Sequence, residues 1–485
     1  MQLVVAIAHV LGGLLMVFAA TFAVPIAWSL TVADGVHGVF IGTGLASFAA
    51  GLLLWFATAK HHREVRAREG CLLVVLAWVM VAAVATVPLM WTIKDLSFTD
   101  AYFETMSGLT TTGSTVLTGI DDLPQSINLW RHALQWFGGM GIIVLAVAIM
   151  PMLGVGGMQL FKAETPGAMK DAKITPRVTQ AAKYLWLIYA GLTLLCILML
   201  RGSGLSWFDA VCHAFSALSL GGFSTRDASV LAFNSPAMEC ILGVFMLLAV
   251  LNFTTHFLAI RERSLRVYWR DAEVLAVWSL ILGSGVMLAA FLLWKGVYPD
   301  FLTAWRYAAF NVISIATSSG YMSTDYDKWP IFAPMWMLFL CCVSSSAGST
   351  GGGIKMIRAL ILLKQAKQEL IRLVHPRAVR PLCVSGQVID NRVILSVLGY
   401  MLLYGVTVTL LSFALMASGL DFVSSVSGVI ASINNTGPGL NVLGPAQNYQ
   451  VLTDLQTWLC TIAMLAGRLE LLTVFVLFTP HFWRK

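Results

Sequence analysis

A chain of 485 residues that is 58% apolar and only 11% charged, with a mean hydropathy of +0.80, cannot cover itself with polar surface and is excluded as a water-soluble domain. Its formal net charge of +7 lies in separate basic clusters between apolar stretches, which reads as membrane topology and carries no nucleic-acid footprint.

Apolar runs able to cross roughly 30 Å of hydrocarbon, at about 20 residues each, occur in chain order at 3–30, 37–59, 71–93, 127–151, 184–200, 237–260, 273–294, 331–345, 393–417 and 452–479. Ten membrane spans are therefore predicted. The first has no basic residue ahead of it and is too long for a signal-peptide core, so it reads as a retained span. Between the third and fourth, fifth and sixth, seventh and eighth, and ninth and tenth spans lie shorter apolar segments of about a dozen residues. These are too short to cross and fit re-entrant helices.

Each short segment runs into a cluster of hydroxyl, amide and small residues ending in glycine: Thr110 to Gly113, Ser219 to Gly222, Thr317 to Gly320 and Asn434 to Gly437. The glycines are 109, 98 and 117 residues apart, so a unit of about 100 residues is used four times. Residues recur in register before each glycine. The third back is Thr110, Ser219, Thr317 or Asn434, the sixth is Ser107, Ser216, Ser314 or Ala431, and the twelfth is Ala101, Ala210, Ala308 or Ser425.

Of the 31 Lys and Arg residues, 23 fall in segments 60–69, 158–183, 261–271 and 354–392 or at the C-terminus. The positive-inside rule puts these on the cytoplasmic side. Both termini are then cytoplasmic, and all four glycine runs enter the membrane from outside.

The chemistry of such runs suits a bare cation. Non-helical backbone survives at membrane depth only inside protein or along a watery cavity. Glycine permits dihedrals that turn successive carbonyls the same way, so four loops about one axis can replace a hydration shell. A short helix before each loop aims its partly negative C-terminal end at the same place. Hydroxyls such as those of Thr112 and Ser319 can add oxygens or brace the loops.

No catalytic constellation is visible. Carboxylates are few, the nine histidines do not pair at ligand spacing, and no serine sits in a nucleophile motif. The eight cysteines are scattered and suggest neither a disulfide framework nor a metal site. The chain is expected not to be an enzyme and to hold no organic cofactor.

Three further features stand out. Segment 344–353, SSSAGSTGGG, cannot continue a stable helix, since each glycine costs about 1 kcal/mol relative to alanine; a helix is predicted to restart at Ile354 and run to about Val374. Glycine spacing from Gly348 to Gly353 suggests a phosphate-binding loop, but Ile354 stands where its lysine belongs. A flexible cytoplasmic linker and an irregular loop lining a cavity both remain open for this segment. Arg468 lies inside the predicted last span, where an ionisable residue faces a cavity or a partner. Glu470 is two residues away, about 200° around a helix, so the two are not expected to pair. The basic segment 355–392 is either ordinary topology bias or a docking surface.

Four units of span, re-entrant segment, glycine loop and span, behind two extra helices, resemble the Trk/Ktr/HKT superfamily of potassium transporters, and most of all its TrkH-type pore subunits. The resemblance covers essentially the whole chain and rests on TTTGST at 110–115, SLGGFST at 219–225, ATSSGYMST at 316–324 and NNTGPGLN at 434–441. It implies an all-α polytopic membrane protein divided into an N-terminal helix pair at 1–69 and pore repeats at 70–182, 183–271, 272–390 and 391–485. It implies a potassium filter of main-chain carbonyls at Thr111, Thr112 and Gly113; Leu220, Gly221 and Gly222; Ser318, Ser319 and Gly320; and Asn435, Thr436 and Gly437.

The second glycine of a potassium-channel filter loop is replaced by Thr115, Ser224 and Met322 in the first three units and kept only as Gly439, so weaker discrimination among potassium, rubidium and sodium is expected. By resemblance, the segment with Gly348, Gly351, Gly352 and Gly353 is an intramembrane gating loop, with Arg468 beside it. The resemblance also implies a homodimer in the bacterial inner membrane and a cytoplasmic nucleotide-binding ring of TrkA type, which could dock on the basic segment. A potassium symporter coupled to protons or sodium is the alternative.

Overall fold

The computed structural model describes residues 2–59, 67–141, 178–376, 381–384 and 387–484. Most of the predicted basic loops at 60–69 and 158–183, and the last part of the predicted span 127–151, lie outside the described residues.

Four units follow one another. The first holds α4 (Ala67–Thr92), α5 (Phe98–Leu109) and α6 (Gln125–Gly139). In the second, α7 (Val178–Gly202) and α8 (Trp207–Ser219) lead to α9 (Pro236–Ala249) and α10 (Phe253–Glu262), with α11 (Arg266–Arg270) as a connector. The third has α12 (Ala272–Trp294), α13 (Phe301–Ala316) and α14 (Phe332–Val343), an irregular segment, then α15 (Met356–Val374). The fourth has α16 (Asn391–Ala417), α17 (Phe422–Ile433), α18 (Asp454–Arg468) and α19 (Leu471–Phe475). Among the described residues the only strands are the short antiparallel pair Cys383–Val384 and Gln387–Val388. The all-α polytopic architecture expected from the sequence is present.

Ahead of the units, α1 (Gln2–Thr21) and α2 (Ala23–Val32) form one apolar stretch, and α3 (His37–Thr58) returns beside it. The close approach of α1 and α3 depends on two glycines: a Cβ at Gly12 would stand 2.8 Å from the Gly51 carbonyl oxygen, and one at Gly51 would stand 2.7 Å from that of Gly12. Phe22 stacks on Trp130 of α6, ring centroids 4.6 Å apart, and so docks the pair on the first unit.

The four short helices α5, α8, α13 and α17 have 12, 13, 16 and 12 residues. Each starts at a side-chain cap. Ser97, Ser206, Asp300 and Asp421 accept hydrogen bonds from the backbone N–H groups of Asp100, Asp209, Thr303 and Ser424, a device worth about 1 kcal/mol per helix. Each second-span helix also packs on the short helix of the following unit, α6 on α8, α9 on α13, α14 on α17 and α18 on α5. The units thereby close into a ring.

Several of the predicted spans are bent or broken helices. Six helices are long and apolar enough on their own among the described residues. The second spans are broken: α9 and α10 diverge by 92°, the pair Asp454–Arg468 and Leu471–Phe478 by 111°, and α14 stops after 12 residues. The cause is local. The Asn252 side chain caps α10 by accepting from the Thr254 N–H at 2.8 Å, and Glu470 adopts φ +58°. A break after the second span is thus shared by units two, three and four; unit three adds only its length. Its next helix begins at Met356, two residues after the predicted Ile354.

Candidate functional site

The four glycine runs fold alike. Thr111, Leu220, Ser318 and Asn435, two residues before each glycine, have φ of 55°, 57°, 60° and 53°, and the glycines have 83°, 74°, 83° and 96°. A non-glycine residue in this region is disfavoured by about 1–2 kcal/mol, so four in equivalent places are held by their surroundings and mark a working site. Between them, the N–H groups of Thr112, Gly221, Ser319 and Thr436 donate to the carbonyls of Ser107, Ser216, Ser314 and Ala431 at 2.8–2.9 Å. These acceptors are the sixth residues back, which explains why that register recurs.

The loops meet one another in cyclic order. A Cβ at Gly113 would overlap the Gly221 carbonyl oxygen, one at Gly222 that of Ser319, and one at Gly320 that of Thr436; one at Gly437 would stand 2.8 Å from that of Thr112. Four glycines thus close a ring on four carbonyls. All four glycines line one outer cavity, with Asp227 and Tyr449 on its wall. Each of the four loops follows the C-terminal end of a short helix, and four such partly negative ends beside a ring of carbonyl oxygens favour a cation.

The side-chain hydroxyls serve as braces. Thr110 and Thr112 share a hydrogen bond of 2.7 Å, Thr317 and Ser319 one of 3.0 Å, and the Asn435 amide donates to the Thr112 hydroxyl at 2.9 Å.

A further register lies nine residues before the first three glycines, at Glu104, His213 and Asn311; the fourth loop has Gly428 there. The Thr115 hydroxyl and the Val116 N–H donate to the Glu104 carboxylate at 3.0 and 3.1 Å. His213 Nε2 is hydrogen-bonded to the Ser224 hydroxyl at 3.0 Å, and the Asn311 amide donates to the Ser323 hydroxyl at 2.9 Å. These groups fasten the outer half of three loops, where the second glycine is missing. Counting the same register three residues further than the sixth would have found them. Glu104 is itself paired with Arg131 at 2.6 Å, both fully buried, and the guanidinium lies 4.2 Å from the centre of the Phe223 ring. Arg131→Ala leaves that carboxylate uncompensated and is expected to cost about 3–5 kcal/mol, read as a clear fall in the melting temperature of the detergent-solubilised protein.

At the outer rim, the Asp227 N–H and the Arg226 guanidinium donate to Asp121 and hold its carboxyl below the usual range, while burial pushes that of Asp227 up.

Beneath the ring runs the irregular segment between α14 and α15, with Ser344, Ser345, Ser346 and Thr350 buried. Its position is set from several units. The Ser346 N–H donates to the Val250 carbonyl at 3.0 Å, and the Phe253 N–H donates to that of Gly348 at 3.1 Å, so the break in unit two receives its start. A Cβ at Gly351 would stand 3.3 Å from both Leu220 Cδ1 and Ser318 Oγ, and one at Gly352 would overlap the Asn434 carbonyl oxygen and stand 3.2 Å from Asn435 Cβ. The Gly352 N–H donates to the Ser318 hydroxyl at 3.0 Å. Gly353 has φ +85° and a Cβ there would stand 2.8 Å from the Cys341 carbonyl oxygen.

Arg468 completes the set, as the last residue of α18. It donates to the Thr350 carbonyl at 2.7 Å, the Gly139 carbonyl at 3.0 Å, the Thr111 hydroxyl at 3.1 Å and the Gly138 carbonyl. Thr111 thus accepts from Arg468 and Ser318 from the Gly352 N–H, while Leu220 and Asn435 lie where a side chain at Gly351 or Gly352 would have to go. Glu470 pairs instead with Arg358 of α15 at 2.9 Å, and Arg358 lies 4.0 Å from the centre of the Tyr400 ring. Glu273, at the start of α12, was also missed: it accepts from the N–H groups of Ala347 at 2.9 Å and Ile357 at 3.2 Å, spanning both ends of the segment. Lys355 and Arg358 are buried and so form no part of an exposed basic surface.

Comparison with known proteins agrees in length and kind. The family model TrkH, described as a cation transport protein, matches residues 36–485. The Trk system potassium uptake protein TrkH of Salmonella typhimurium is 43% identical over 481 residues, 99% of each chain. The Trk system potassium uptake protein TrkG of Escherichia coli (strain K12) is 36% identical over 482 residues, 99% of this chain and 98% of that one. The crystal structure of the potassium transporter TrkH from Vibrio parahaemolyticus superposes with a TM-score of 0.89 at 39% identity, over 99% of both chains.

Proposed function

The chain belongs to the TrkH family of cation transport proteins, a family of transporters and not of enzymes, and from that membership we propose that it takes up potassium through a channel-like pore. The filter is the set of main-chain carbonyls at Thr111 to Gly113, Leu220 to Gly222, Ser318 to Gly320 and Asn435 to Gly437. One observation carries this reading: each of the four glycines is pressed against a carbonyl of the next loop, so the four runs close one ring.

Below the filter, the segment with Gly348, Gly351, Gly352 and Gly353 is the gate, and Arg468 is its tether. The functional units are the N-terminal pair 1–69 and the repeats 70–182, 183–271, 272–390 and 391–485. The chain sits in the bacterial inner membrane with both termini cytoplasmic, forms a homodimer, and is controlled by a nucleotide-binding ring of TrkA type. Relatives named as parts of a Trk system support such a partner. The basic residues of 355–392 that remain exposed offer it a docking face.

Potassium symport coupled to protons or sodium would use the same loops as binding sites. Net potassium flux of the purified protein in liposomes, at equal potassium on both sides and zero voltage, separates the two. A passive pore carries no net potassium under those conditions when a proton or sodium gradient is imposed; net potassium flux driven by either gradient would establish coupling.

A further inference from the structure

We propose that Gln135 is a specificity-determining residue of the pore: its carboxamide fills the place of the side chain that Gly221 lacks and restrains the Gly221 carbonyl. This rests on the filter reading above.

The residue before the filter glycine carries a hydroxyl in three loops, as Thr112, Ser319 and Thr436, and nothing in the second, as Gly221. The vacant volume is filled from another unit. Gln135, on α6 of the first unit, is fully buried, and a Cβ at Gly221 would overlap its carboxamide carbon. Its Nε2 donates to the Gly221 carbonyl at 2.6 Å, and its Oε1 accepts from the Ser216 hydroxyl at 2.5 Å and from the Phe223 N–H at 3.3 Å. One amide therefore ties the loop before, at and after its glycine.

The exchange is visible on both sides. In units one and three the serine six residues before the glycine donates along its own loop, Ser107 to the Ser114 carbonyl at 2.6 Å and Ser314 to the Tyr321 carbonyl at 2.8 Å. Ser216 gives up that bond to reach Gln135. In unit four, Gly467 presses on the Ile433 carbonyl as Gly138 presses on that of Leu109. Three residues before each stand Met464 and Gln135. Met464 lies on α18, which packs on the first loop's helix, and that loop has the Thr112 side chain. Where the loop supplies a hydroxyl, the neighbouring helix is apolar; where it supplies none, the helix brings an amide.

The consequence is electrostatic and mechanical. A carbonyl oxygen that already accepts a short N–H bond presents a weaker field to an ion and is less free to close around a smaller one. Both effects disfavour sodium relative to potassium.

The test is the potassium-to-sodium permeability ratio of the full-length protein in liposomes, from bi-ionic reversal potentials. Gln135→Met removes the donor and is expected to lower the ratio by about two- to tenfold, the factor that one hydrogen bond carries. Gly221→Ser alone collides with Gln135 and is expected to stop rubidium flux. Gln135→Met combined with Gly221→Ser restores flux and recovers the ratio. An unchanged ratio in Gln135→Met, or Gly221→Ser that conducts as well alone as in the pair, overturns the proposal. If Gln135→Met does not fold, the double variant, which copies the combination of Thr112 with Met464 at the first loop, must still fold and conduct, and its failure also overturns it. Gly222→Ala serves as control: if that variant conducts normally, the filter reading itself fails, independently of Gln135.

Discussion

Gly222→Ala is expected to cut potassium and rubidium flux severely in a protein that still inserts and purifies. The position combines φ +74° with a Cβ that would overlap the Ser319 carbonyl oxygen of the next loop. A methyl group there cannot be absorbed by a rotamer change, because what it meets is backbone. The strain of a left-handed alanine, about 1–2 kcal/mol, and overpacking of about 1–3 kcal/mol fall directly on a ring carbonyl. Together these come to about 2–5 kcal/mol, and each 1.4 kcal/mol is about tenfold in an equilibrium, so flux falls by about thirtyfold to a few thousandfold. Gly283→Ala is the matched control: it lies in α12 with no atom within 4 Å of its added Cβ. It is expected to conduct normally. Rubidium uptake into liposomes at equal protein density measures both.

The second large effect is at the tether. Arg468 holds the Thr350 carbonyl of the segment proposed as the gate to the Thr111 hydroxyl and to the Gly138 and Gly139 carbonyls of the first unit. Hydrogen bonds from a charged donor contribute about 1.5–3 kcal/mol each. Arg468→Gln removes the charge and shortens the reach. It is expected to raise ring-independent flux by about tenfold or more, since a loss of 1.4 kcal/mol in the closed state shifts the population tenfold. Gly352→Ala attacks the same closed state differently, because its Cβ would overlap the Asn434 carbonyl oxygen. It too is expected to raise flux without the partner. Unchanged or lower flux in both folded variants would remove this segment from gating.

How far the sequence could be read depended on whether a feature repeats along the chain or is built across it. The glycines, the third and sixth registers and the short helices repeat in sequence, and each has its structural counterpart. The ninth register was equally available, at Glu104, His213 and Asn311, but its residues share no chemical type and do not look alike until their partners are seen. The breaks at Asn252 and Glu470 were hidden because apolar residues on both sides keep the average hydropathy high across a bend. Gln135 and the pairing of Arg358 with Glu470 were not legible at all, since each contact joins different units, and Glu273 was not because its partners lie 74 and 84 residues further along its own unit. That Lys355 and Arg358 are buried was also not legible, because counting charges by segment takes no account of burial.

The proposed filter requires that the carbonyls of Thr112, Gly221, Ser319 and Thr436 face one cation on one axis. Crystals of the protein grown in rubidium or thallium salt and measured at an anomalous edge decide this. Anomalous density is expected on that axis, within coordination distance of the four carbonyls and above Gly351 and Gly352. Density only elsewhere, or none in a crystal where the four loops are ordered, would contradict it.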